Sequence, residues 1–239
     1  MAGKLDGARI IVTGASRGIG YETTARFLRE GARVLGSARD AVRLSAAQRD
    51  FLALGSGEFS LVVCDLERPG EEARIAEAAR QRWGAVDVLV NNAAVMLSND
   101  DSYGFLQEAP EVIERTMAVN VLAPMRLIRA VVPLLERSDH PRIINVSSGA
   151  GAFAALDSQG LASYRLSKWA LNGLTLLLAS QLRGKVLVNA LDPGWVKTDM
   201  GGPNAPGSPT ESAEGALALA TEPSGATGKF WKNGEQINY

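Results

Sequence analysis

The sequence contains few of the residues that build several common kinds of site. Its 239 residues include one cysteine and one histidine, so an internal disulfide and a Cys/His zinc cluster are excluded. Lysine and arginine (25 residues) balance aspartate and glutamate (26 residues), and no charge excess indicates a nucleic-acid partner. No uncharged run is longer than that of Trp169–Leu182, 14 residues, which is shorter than the ~20 residues of a membrane span. With no signal-like apolar stretch at the start, we expect a cytoplasmic protein with no membrane or nucleic-acid partner.

Short β-branched segments alternate with helical segments along the chain, which predicts βαβ units. The predicted strands are Arg9–Thr13, Arg33–Ser37, Ser60–Cys64, Val86–Asn91, Arg142–Ser147 and Val186–Leu191, with a short final strand near Lys229–Trp231. The predicted helices are Gly18–Glu30, Ala41–Leu54, Glu71–Trp83, Pro110–Leu135, Ala162–Leu182 and Thr210–Ala220. This pattern indicates an α/β fold, a single doubly wound Rossmann-type domain over residues 1–239. We expect a mostly parallel sheet of six to seven strands, helices on both faces and ligands at the carboxyl ends of the strands.

A glycine-rich turn, Thr13–Gly20 (TGASRGIG), joins the first predicted strand to the first predicted helix. Gly14 permits a tight turn, and Gly18 lets the backbone approach a phosphate without an intervening Cβ atom. Gly20 lets the helix pack closely on the sheet, and the free N–H groups at the helix N-terminus favour anions. The GxxxGxG spacing therefore predicts a dinucleotide site, with a plain strand-to-helix turn as the alternative.

The residues after the second predicted strand distinguish the two nicotinamide cofactors. An acidic side chain at this position binds the ribose hydroxyls of NAD. Here Arg39 stands at about that position, and Arg17 lies in the glycine turn. Guanidinium groups suit the additional phosphate of NADP, so the sequence predicts NADP(H). NAD(H) is the alternative, because Asp40 directly follows Arg39 and Arg39 alone is consistent with an ordinary surface charge.

A tyrosine and a lysine stand four residues apart at the start of the helix Ala162–Leu182. Tyr164 and Lys168 therefore share a helix face, and we expect the ammonium to lower the pKa of the phenol toward the range of acid–base catalysis. Taken alone, such a pair is a common chance pattern. Polar residues at neighbouring strand ends support it, because the carboxyl ends of parallel strands meet at one edge of the sheet.

The motifs together resemble the short-chain dehydrogenase/reductase family, in particular a carbonyl-reductase-like member, over nearly the whole chain. The matching segments, in the family's order, are Thr13–Gly20, Cys64–Leu66, Asn91–Ala94 (NNAA), Asn120, Asn145–Ser148 (NVSS), Tyr164–Lys168 (YRLSK) and Pro193–Thr198 (PGWVKT). The resemblance implies an oxidoreductase that passes a hydride between NADP(H) and a carbonyl or alcohol substrate, without a metal.

The resemblance also implies a role for each matching residue. Tyr164 would donate or accept the proton, and Lys168 would lower the pKa of Tyr164 and hold the nicotinamide ribose. Ser148 would polarise the carbonyl, with Ser147 as the alternative, and Asn120 would hold a water in a proton relay. The cofactor would contact Tyr164, Lys168 and residues of the glycine turn and the strand ends: Gly14, Ser16, Arg17, Gly18, Ile19, Gly20, Arg39, Asp65, Leu66, Asn91, Ala93, Pro193, Gly194 and Thr198.

Two features depart from the usual family pattern. Ala94 replaces a glycine, which we expect to be tolerated unless the backbone there needs a positive φ. The segment Gly149–Gly160 is longer than in most members and is expected to shape one wall of the substrate pocket. Downstream, Gly201–Pro209 is interpreted as a mobile loop within a substrate lid at residues 200–210. Trp195 is expected either to touch the substrate or only to pack the lid.

The helix Ala162–Leu182 is apolar on all sides, more than one buried face requires. In the resembled family the corresponding helix pairs across a two-fold axis, so we expect a homodimer or homotetramer, with a monomer as the alternative. Three other residue types indicate no site: Cys64 is predicted to be core, His140 a surface residue, and the adjacent acids Asp100 and Asp101 solvated rather than metal-binding.

The leading functional hypothesis is an NADPH-dependent reductase of small or medium aldehydes and ketones that can also run in reverse. An NAD-dependent alcohol dehydrogenase of the same fold is one alternative. A non-catalytic dinucleotide-binding regulator is the other.

Overall fold

The computed structural model describes residues 3–97 and 104–239, and its centre is one eight-stranded sheet. The strands are β1 (Arg9–Thr13), β2 (Arg33–Ala38), β3 (Glu58–Val63), β4 (Val88–Asn91), β5 (Arg142–Val146), β6 (Leu187–Leu191), β7 (Phe230–Lys232) and β8 (Glu235–Ile237). Their order is β3-β2-β1-β4-β5-β6-β7-β8, and all neighbouring pairs are parallel except β7–β8. The predicted fold class is confirmed, with eight strands instead of six to seven.

The additional strand β8 arises from a hairpin that the sequence analysis missed. Asn233 and Gly234 connect β7 to β8, and both have positive φ angles, 50° and 81°. Lys232 pairs with Glu235 directly across this two-residue turn. Asn-Gly is the preferred sequence for such a turn, so the signal for the hairpin was present in the chain.

Helices cover both faces of the sheet, as predicted. They are α1 (Gly18–Arg29), α2 (Ala41–Ala53), α3 (Glu72–Trp83), α4 (Pro110–Met117), α5 (Ala123–Leu135), α6 (Ala162–Gln181) and α7 (Pro209–Ala220). One core packs α1, α2 and α7 against strand residues such as Val12, Val34 and Val90. The second core packs α3, α5 and α6 against the alternate strand residues, including Ile11, Leu35 and Leu89. Strands buried on both faces explain the near-continuous apolar runs in the sequence.

The predicted helix Pro110–Leu135 is helical throughout, but its type changes within the run. A π-helical turn at Ala118–Leu122 separates α4 from α5, and Asn120 lies inside it. Single π-helical turns inside α-helices are frequently found at functional sites. Apolar periodicity does not reveal this interruption, since both flanking helices keep an apolar face.

The run Pro110–Leu135 is also the one stretch among the described residues that is long and apolar enough to cross a membrane by composition. Its second half, α5, instead packs in the second core, where Leu127, Ile128 and Val131 are at most 1% exposed. Burial against the sheet accounts for its apolar character.

The strand order reverses between β1 and β4: β2 and β3 lie on one side of β1, and β4 and the later strands lie on the other. Thr13, the last residue of β1, accepts through its Oγ1 from the backbone N–H groups of Asn92 and Ala93, both at 3.0 Å. The Asn92 amide donates in turn to the Thr13 carbonyl at 2.8 Å. These bonds fix the two strand ends beside one another at the position where doubly wound sheets bind ligands.

Candidate active site

A cavity of about 370 Å³ lies at the carboxyl ends of the parallel strands. It is bounded by the glycine turn, the ends of β2 and β3, the start of α6 and the segment after β6. Most predicted cofactor residues line it: Gly14, Ser16, Arg17, Gly18, Ile19, Arg39, Asp65, Leu66, Ala93, Tyr164, Lys168, Pro193 and Thr198. The fold therefore gathers these residues from six regions of the sequence at one site.

Of the predicted residues that the structure describes, Gly20, Asn91, Asn120, Ser148 and Gly194 are not part of the cavity wall. Residues outside the predicted set also line it, among them Arg43, Asn92 and Asp199. Arg43 follows Arg39 by four residues, and the spacing indicates that the two can reach one site. For Asp199 the sequence offered no such signal.

The glycine turn has the shape that a pyrophosphate requires. Gly14 and Gly18 have φ angles of 70° and 56°, a region that residues with a Cβ atom rarely adopt. A Cβ atom at Gly20 would lie 2.3 Å from the Asn92 amide nitrogen, so only glycine allows α1 to approach β4 this closely. The N-terminus of α1 consequently faces the cavity with free N–H groups, which fits the phosphates of a dinucleotide.

Three guanidinium groups stand at the outer end of the cavity, on Arg17, Arg39 and Arg43. The Asp199 carboxylate Oδ2 accepts from Arg17 Nη1 at 2.5 Å and from Arg43 Nη1 at 3.3 Å, which keeps the pKa of Asp199 below its usual range. Arg39 is exposed, and within the described ranges 3–97 and 104–239 it forms no salt bridge. This cluster has the charge and donor geometry for a phosphate group.

The sequence leaves the choice between NADP and NAD open because of Asp40. In the structure this residue caps a helix. Its Oδ1 accepts from the backbone N–H groups of Val42 and Arg43, both at 3.0 Å, and so caps the N-terminus of α2. The residue that directly follows β2 at the cavity wall is Arg39. The observed register therefore favours the extra phosphate of NADP over a ribose hydroxyl held by a carboxylate.

The inner end of the cavity holds the predicted acid–base group. Tyr164 lies in the first turn of α6, partly accessible from the cavity, and Ser148 lies close enough to its phenol to lower the pKa of Tyr164. The Ser147 hydroxyl donates to the Lys168 carbonyl at 3.3 Å, whereas Ser148 is the serine that acts on the pKa of the phenol. Serine and tyrosine hydroxyls together can hold one carbonyl oxygen of a substrate.

The pKa of Tyr164 is shifted by its surroundings. Burial of the phenol raises its pKa to about 12; Ser148 opposes this shift and the Asp192 charge adds to it. Lys168 lies with its Nζ 5.6 Å from the ring centroid and donates to the Val146 carbonyl at 2.9 Å. Burial lowers the pKa of Lys168 to about 8. Burial thus shifts the pKa of Tyr164 upward, opposite to the effect expected of Lys168, and the role of Lys168 in lowering it stays a prediction.

Asn120 is positioned by the π-helical turn and is fully engaged with protein groups. Its Oδ1 accepts from the Val95 N–H and its Nδ2 donates to the Val95 carbonyl, both at 2.8 Å. The same Nδ2 lies 3.0 Å from the Ser167 hydroxyl on α6. The side chain thus ties the cavity wall after β4 to the helix that carries Tyr164, and its proposed water-holding role stays a prediction.

Asn91 occupies the sheet interior rather than the cavity. Its Nδ2 donates to Asn145 Oδ1, and Asn145 Nδ2 donates to the Thr175 hydroxyl, both at 2.9 Å. These three buried side chains link β4, β5 and α6. They hold the strand that ends before Ser148 in register with the helix that presents Tyr164.

The segment after β6 is a hydrogen-bonded loop. Val196 and Gly207 form an isolated β-bridge, and the Trp195 indole donates to the Gly201 carbonyl at 2.8 Å. Ala205 at its centre is completely buried. Trp195 is 60% exposed, so its ring neither fills the core nor is shielded by the lid, and its contact with substrate remains a prediction.

The long segment after Ser148 is organised by Arg165 from the first turn of α6. Its guanidinium donates to the carbonyls of Gly160, Ala155 and Gln159 at 2.9, 3.1 and 3.4 Å. The segment forms two short 3₁₀ turns and ends at Leu161, whose φ of 54° is unusual for a branched side chain. Arg165 thus joins the predicted pocket wall to the helix of Tyr164.

The remaining sequence expectations concern single residues. Ala94 does not have a positive φ, and the alanine is tolerated as expected. Cys64 is buried, and burial raises the pKa of its thiol to about 12, whereas His140 is exposed. Asp100 and Asp101 lie outside the described residues. Within the described ranges no group of three or more His, Cys, Asp or Glu side chains is arranged to hold a metal ion.

Comparison with known proteins agrees with this geometry. The model of the family described as "short chain dehydrogenase" matches residues 8–208. The chain belongs to the short-chain dehydrogenase family. The resemblance stated from the motifs is thereby confirmed, and with it the assignment of the chain to an oxidoreductase family.

Individual relatives of this short-chain dehydrogenase cover most of its length. It is 31% identical to "Carbonyl reductase [NADPH] 1" of Sus scrofa, with 91% of this chain and 88% of the relative covered. It is 30% identical to "(+)-neomenthol dehydrogenase" of Arabidopsis thaliana, with 89% and 91% covered. It superposes with a TM-score of 0.87 on an NADPH-bound carbonyl reductase from chicken fatty liver, which is 29% identical, with 98% and 100% covered.

Proposed function

We propose that the protein is an NADPH-dependent carbonyl reductase that reduces small or medium aldehydes and ketones and oxidises the alcohols in the reverse direction. The observation that carries the proposal is that Tyr164 and Lys168 line the same cavity as the glycine turn, with Ser148 close to the Tyr164 phenol. The Sus scrofa relative and the chicken structure, both named as NADPH carbonyl reductases, support it.

Each residue of the site has a defined task in this reaction. A bound nicotinamide supplies the hydride to the carbonyl carbon. Ser148 and Tyr164 hold the carbonyl oxygen, and Tyr164 donates its proton as negative charge develops there. With a pKa of about 12, the phenol is protonated at neutral pH and suited to act as an acid in the reducing direction. Lys168 would hold the nicotinamide ribose and offset the tyrosinate formed.

The preference for NADP(H) rests on the outer end of the cavity. Arg17, Arg39 and Arg43 surround it, and Asp40 is engaged in capping α2. An NAD-dependent dehydrogenase would need a free carboxylate at the end of β2, so this alternative is not favoured. A regulator without catalysis is not favoured either, because Ser148, Tyr164 and Lys168 are all present and adjacent.

The proposal is tested with a panel of aldehydes, ketones and quinones, following oxidation of NADPH and, in parallel, of NADH. We expect turnover with NADPH on part of the panel. Tyr164→Phe should abolish turnover while the Kd for NADPH changes by only a few-fold. Tyr21→Phe removes a phenol on α1 that bonds Asp50 and serves as the matched control. Wild-type activity in Tyr164→Phe would contradict the assigned acid.

We also propose that the protein is a cytoplasmic homodimer or homotetramer that associates through α6, without a nucleic-acid or membrane partner. Trp169, Leu176 and Leu177 on this helix are 43%, 44% and 63% exposed, more apolar surface than a solvated helix usually presents. Size-exclusion chromatography with light scattering should give an oligomer that Leu177→Glu dissociates. A monomeric wild-type protein would overturn this part of the proposal.

A further inference from the structure

Asp192, the residue after β6, is a buried carboxylate outside the predicted site. Its side chain is 3% exposed, and its Oδ1 accepts from the Gly194 N–H at 3.0 Å. Its Oδ2 lies 3.0 Å from the ammonium of Lys232, the last residue of β7. A buried carboxylate without a counter-ion is strongly unfavourable, so Lys232 compensates a charge that the fold keeps inside the protein.

The same carboxylate lies beside the catalytic serine. A Cβ atom at Gly149 would stand 2.9 Å from Asp192 Oδ2, so glycine is needed for this approach. Gly149 directly follows Ser148, and β5 and β6 are joined here by the Ser147 N–H, which donates to the Leu191 carbonyl at 2.7 Å. One carboxylate therefore contacts both the loop of Ser148 and the Pro193–Gly194 turn at the cavity wall.

The charges around the Tyr164 phenol are few among the described residues. Lys168 lies on its own helix, α6, at 5.6 Å from the ring. Asp192 acts from the end of β6 and raises the pKa of Tyr164, and Lys232 on β7 faces Asp192. Glu108, on the segment before α4, is bonded to the Ser163 N–H and hydroxyl at the start of α6.

We propose that Asp192 is a positioning residue for the Ser148–Tyr164 pair and for the Pro193–Gly194 turn, with Lys232 as its counter-ion. The C-terminal hairpin, β7 and β8, is then part of the catalytic apparatus. This inference rests on the proposed reductase function. It assigns to the hairpin the task of offsetting the Asp192 charge, which acts on the acid.

The inference predicts opposite effects for the two members of the pair. Lys232→Met leaves the Asp192 charge uncompensated, so the pKa of Tyr164 rises and the loop of Ser148 shifts. Asp192→Asn removes the negative charge, so the pKa of Tyr164 falls. We expect kcat to drop about tenfold or more in both variants, because small displacements of reacting groups are costly. Lys232→Arg should keep most of the wild-type activity that Lys232→Met loses, since arginine keeps the positive charge.

The experiment measures the pH dependence of kcat for alcohol oxidation at saturating NADP⁺, together with ultraviolet titration of tyrosinate against a Tyr164→Phe reference. Lys185→Met is the matched control, because Lys185 forms a surface ion pair with Glu136 at 3.0 Å. Thermal unfolding and the Kd for NADPH show that each variant folds and binds cofactor. Opposite pKa shifts, with rescue by Lys232→Arg, support the inference.

Two results overturn it. Lys232→Met could behave like Lys185→Met in both the pH profile and the tyrosinate titration. Alternatively, Asp192→Asn and Lys232→Met could shift the pKa of Tyr164 in the same direction. The tyrosinate titration needs no turnover, so it tests the pair even if the panel of carbonyl compounds reveals no activity. Absence of activity on that panel would bear on the proposed function alone.

Discussion

The Asp199 carboxylate bonds the Arg17 guanidinium across the outer end of the cavity, with Oδ2 and Nη1 2.5 Å apart. Arg17 belongs to the glycine turn and Asp199 to the loop after β6, so the contact joins segments that are 182 residues apart in the chain. Both side chains are more than half exposed. A carboxylate thus sits where the guanidinium groups would otherwise receive a phosphate.

Asp199→Asn should tighten the binding of NADPH and leave the binding of NADH unchanged. The cofactor phosphate competes with Asp199 for Arg17 and Arg43, and NADH has no such phosphate. Exposed ion pairs are worth about 0–1 kcal/mol, so the gain should be about fivefold or less. Fluorescence titration of both cofactors measures it, with Asp139→Asn on a distant loop as control. Equal changes for NADPH and NADH would show that Asp199 does not compete with the phosphate.

Arg39→Ala and Arg43→Ala should each weaken NADPH binding more than NADH binding. A charge-assisted hydrogen bond to a phosphate contributes about 1.5–3 kcal/mol. We therefore expect its loss to raise the Kd for NADPH about tenfold or more. Arg33→Ala provides the control, because Arg33 lies on β2 at the opposite end and pairs with Glu58. If the Kd for NADH rises in parallel with that for NADPH, the assignment of these arginines to the ribose phosphate is wrong.

The rate of carbonyl reduction should fall as the pH rises above about 8. Lys168, with its pKa lowered to about 8 by burial, loses its charge in this range, while Tyr164, with a pKa of about 12, keeps its proton. The pH profile of kcat/KM reports these groups in the free enzyme. Lys168→Arg stays charged and should lack this decline, although its overall rate is lower. An unchanged decline in Lys168→Arg would assign it to another group.

The lowered pKa of Lys168 also makes the free energy of unfolding depend on pH. Lys168 has a lower pKa in the folded protein than its ordinary value of 10.5, so unfolding takes up a proton between about pH 8 and 10.5. The free energy of unfolding contributed by this group therefore increases with pH across that window. Urea unfolding of the wild type and of Lys168→Met at several pH values isolates the contribution.

Asn145→Ala should destabilise the fold by about 2–3 kcal/mol, since Asn91 and Thr175 would each lose a buried partner. Urea denaturation measures the loss. Asn238→Ala, at an exposed position, should stay within about 0.5 kcal/mol of the wild type. A similar small change for Asn145→Ala would mean that water replaces the lost bonds.

The layered α/β fold and most of the cavity wall were predictable from the sequence because they depend on local patterns. Buried parallel strands require apolar runs, and the glycine turn requires residues without a Cβ atom at Gly14 and Gly18. The motif order then places Ser148, Tyr164 and Lys168 at adjacent strand and helix ends. These elements were located to within one or two residues.

The features that escaped prediction depend on tertiary contacts or on energies. The π-helical turn around Asn120 interrupts an apolar pattern that looks continuous. Asp199 reaches Arg17 only because the loop after β6 folds back over the glycine turn. The raised pKa of Tyr164 reflects a balance between burial and charge, which residue spacing does not determine. The β8 hairpin is different, because the Asn233–Gly234 pair in the sequence by itself favours a two-residue hairpin turn.

The boundary between β1 and β4 separates two groups of residues with different tasks. Arg39 and Arg43 lie on the side of β2, whereas Ser148 and Tyr164 lie on the side of β5 and α6. Substitutions at separated sites without shared partners generally have additive effects. We therefore expect that substitutions for cofactor preference on the β2 side and for substrate range on the β5 side combine additively in this protein.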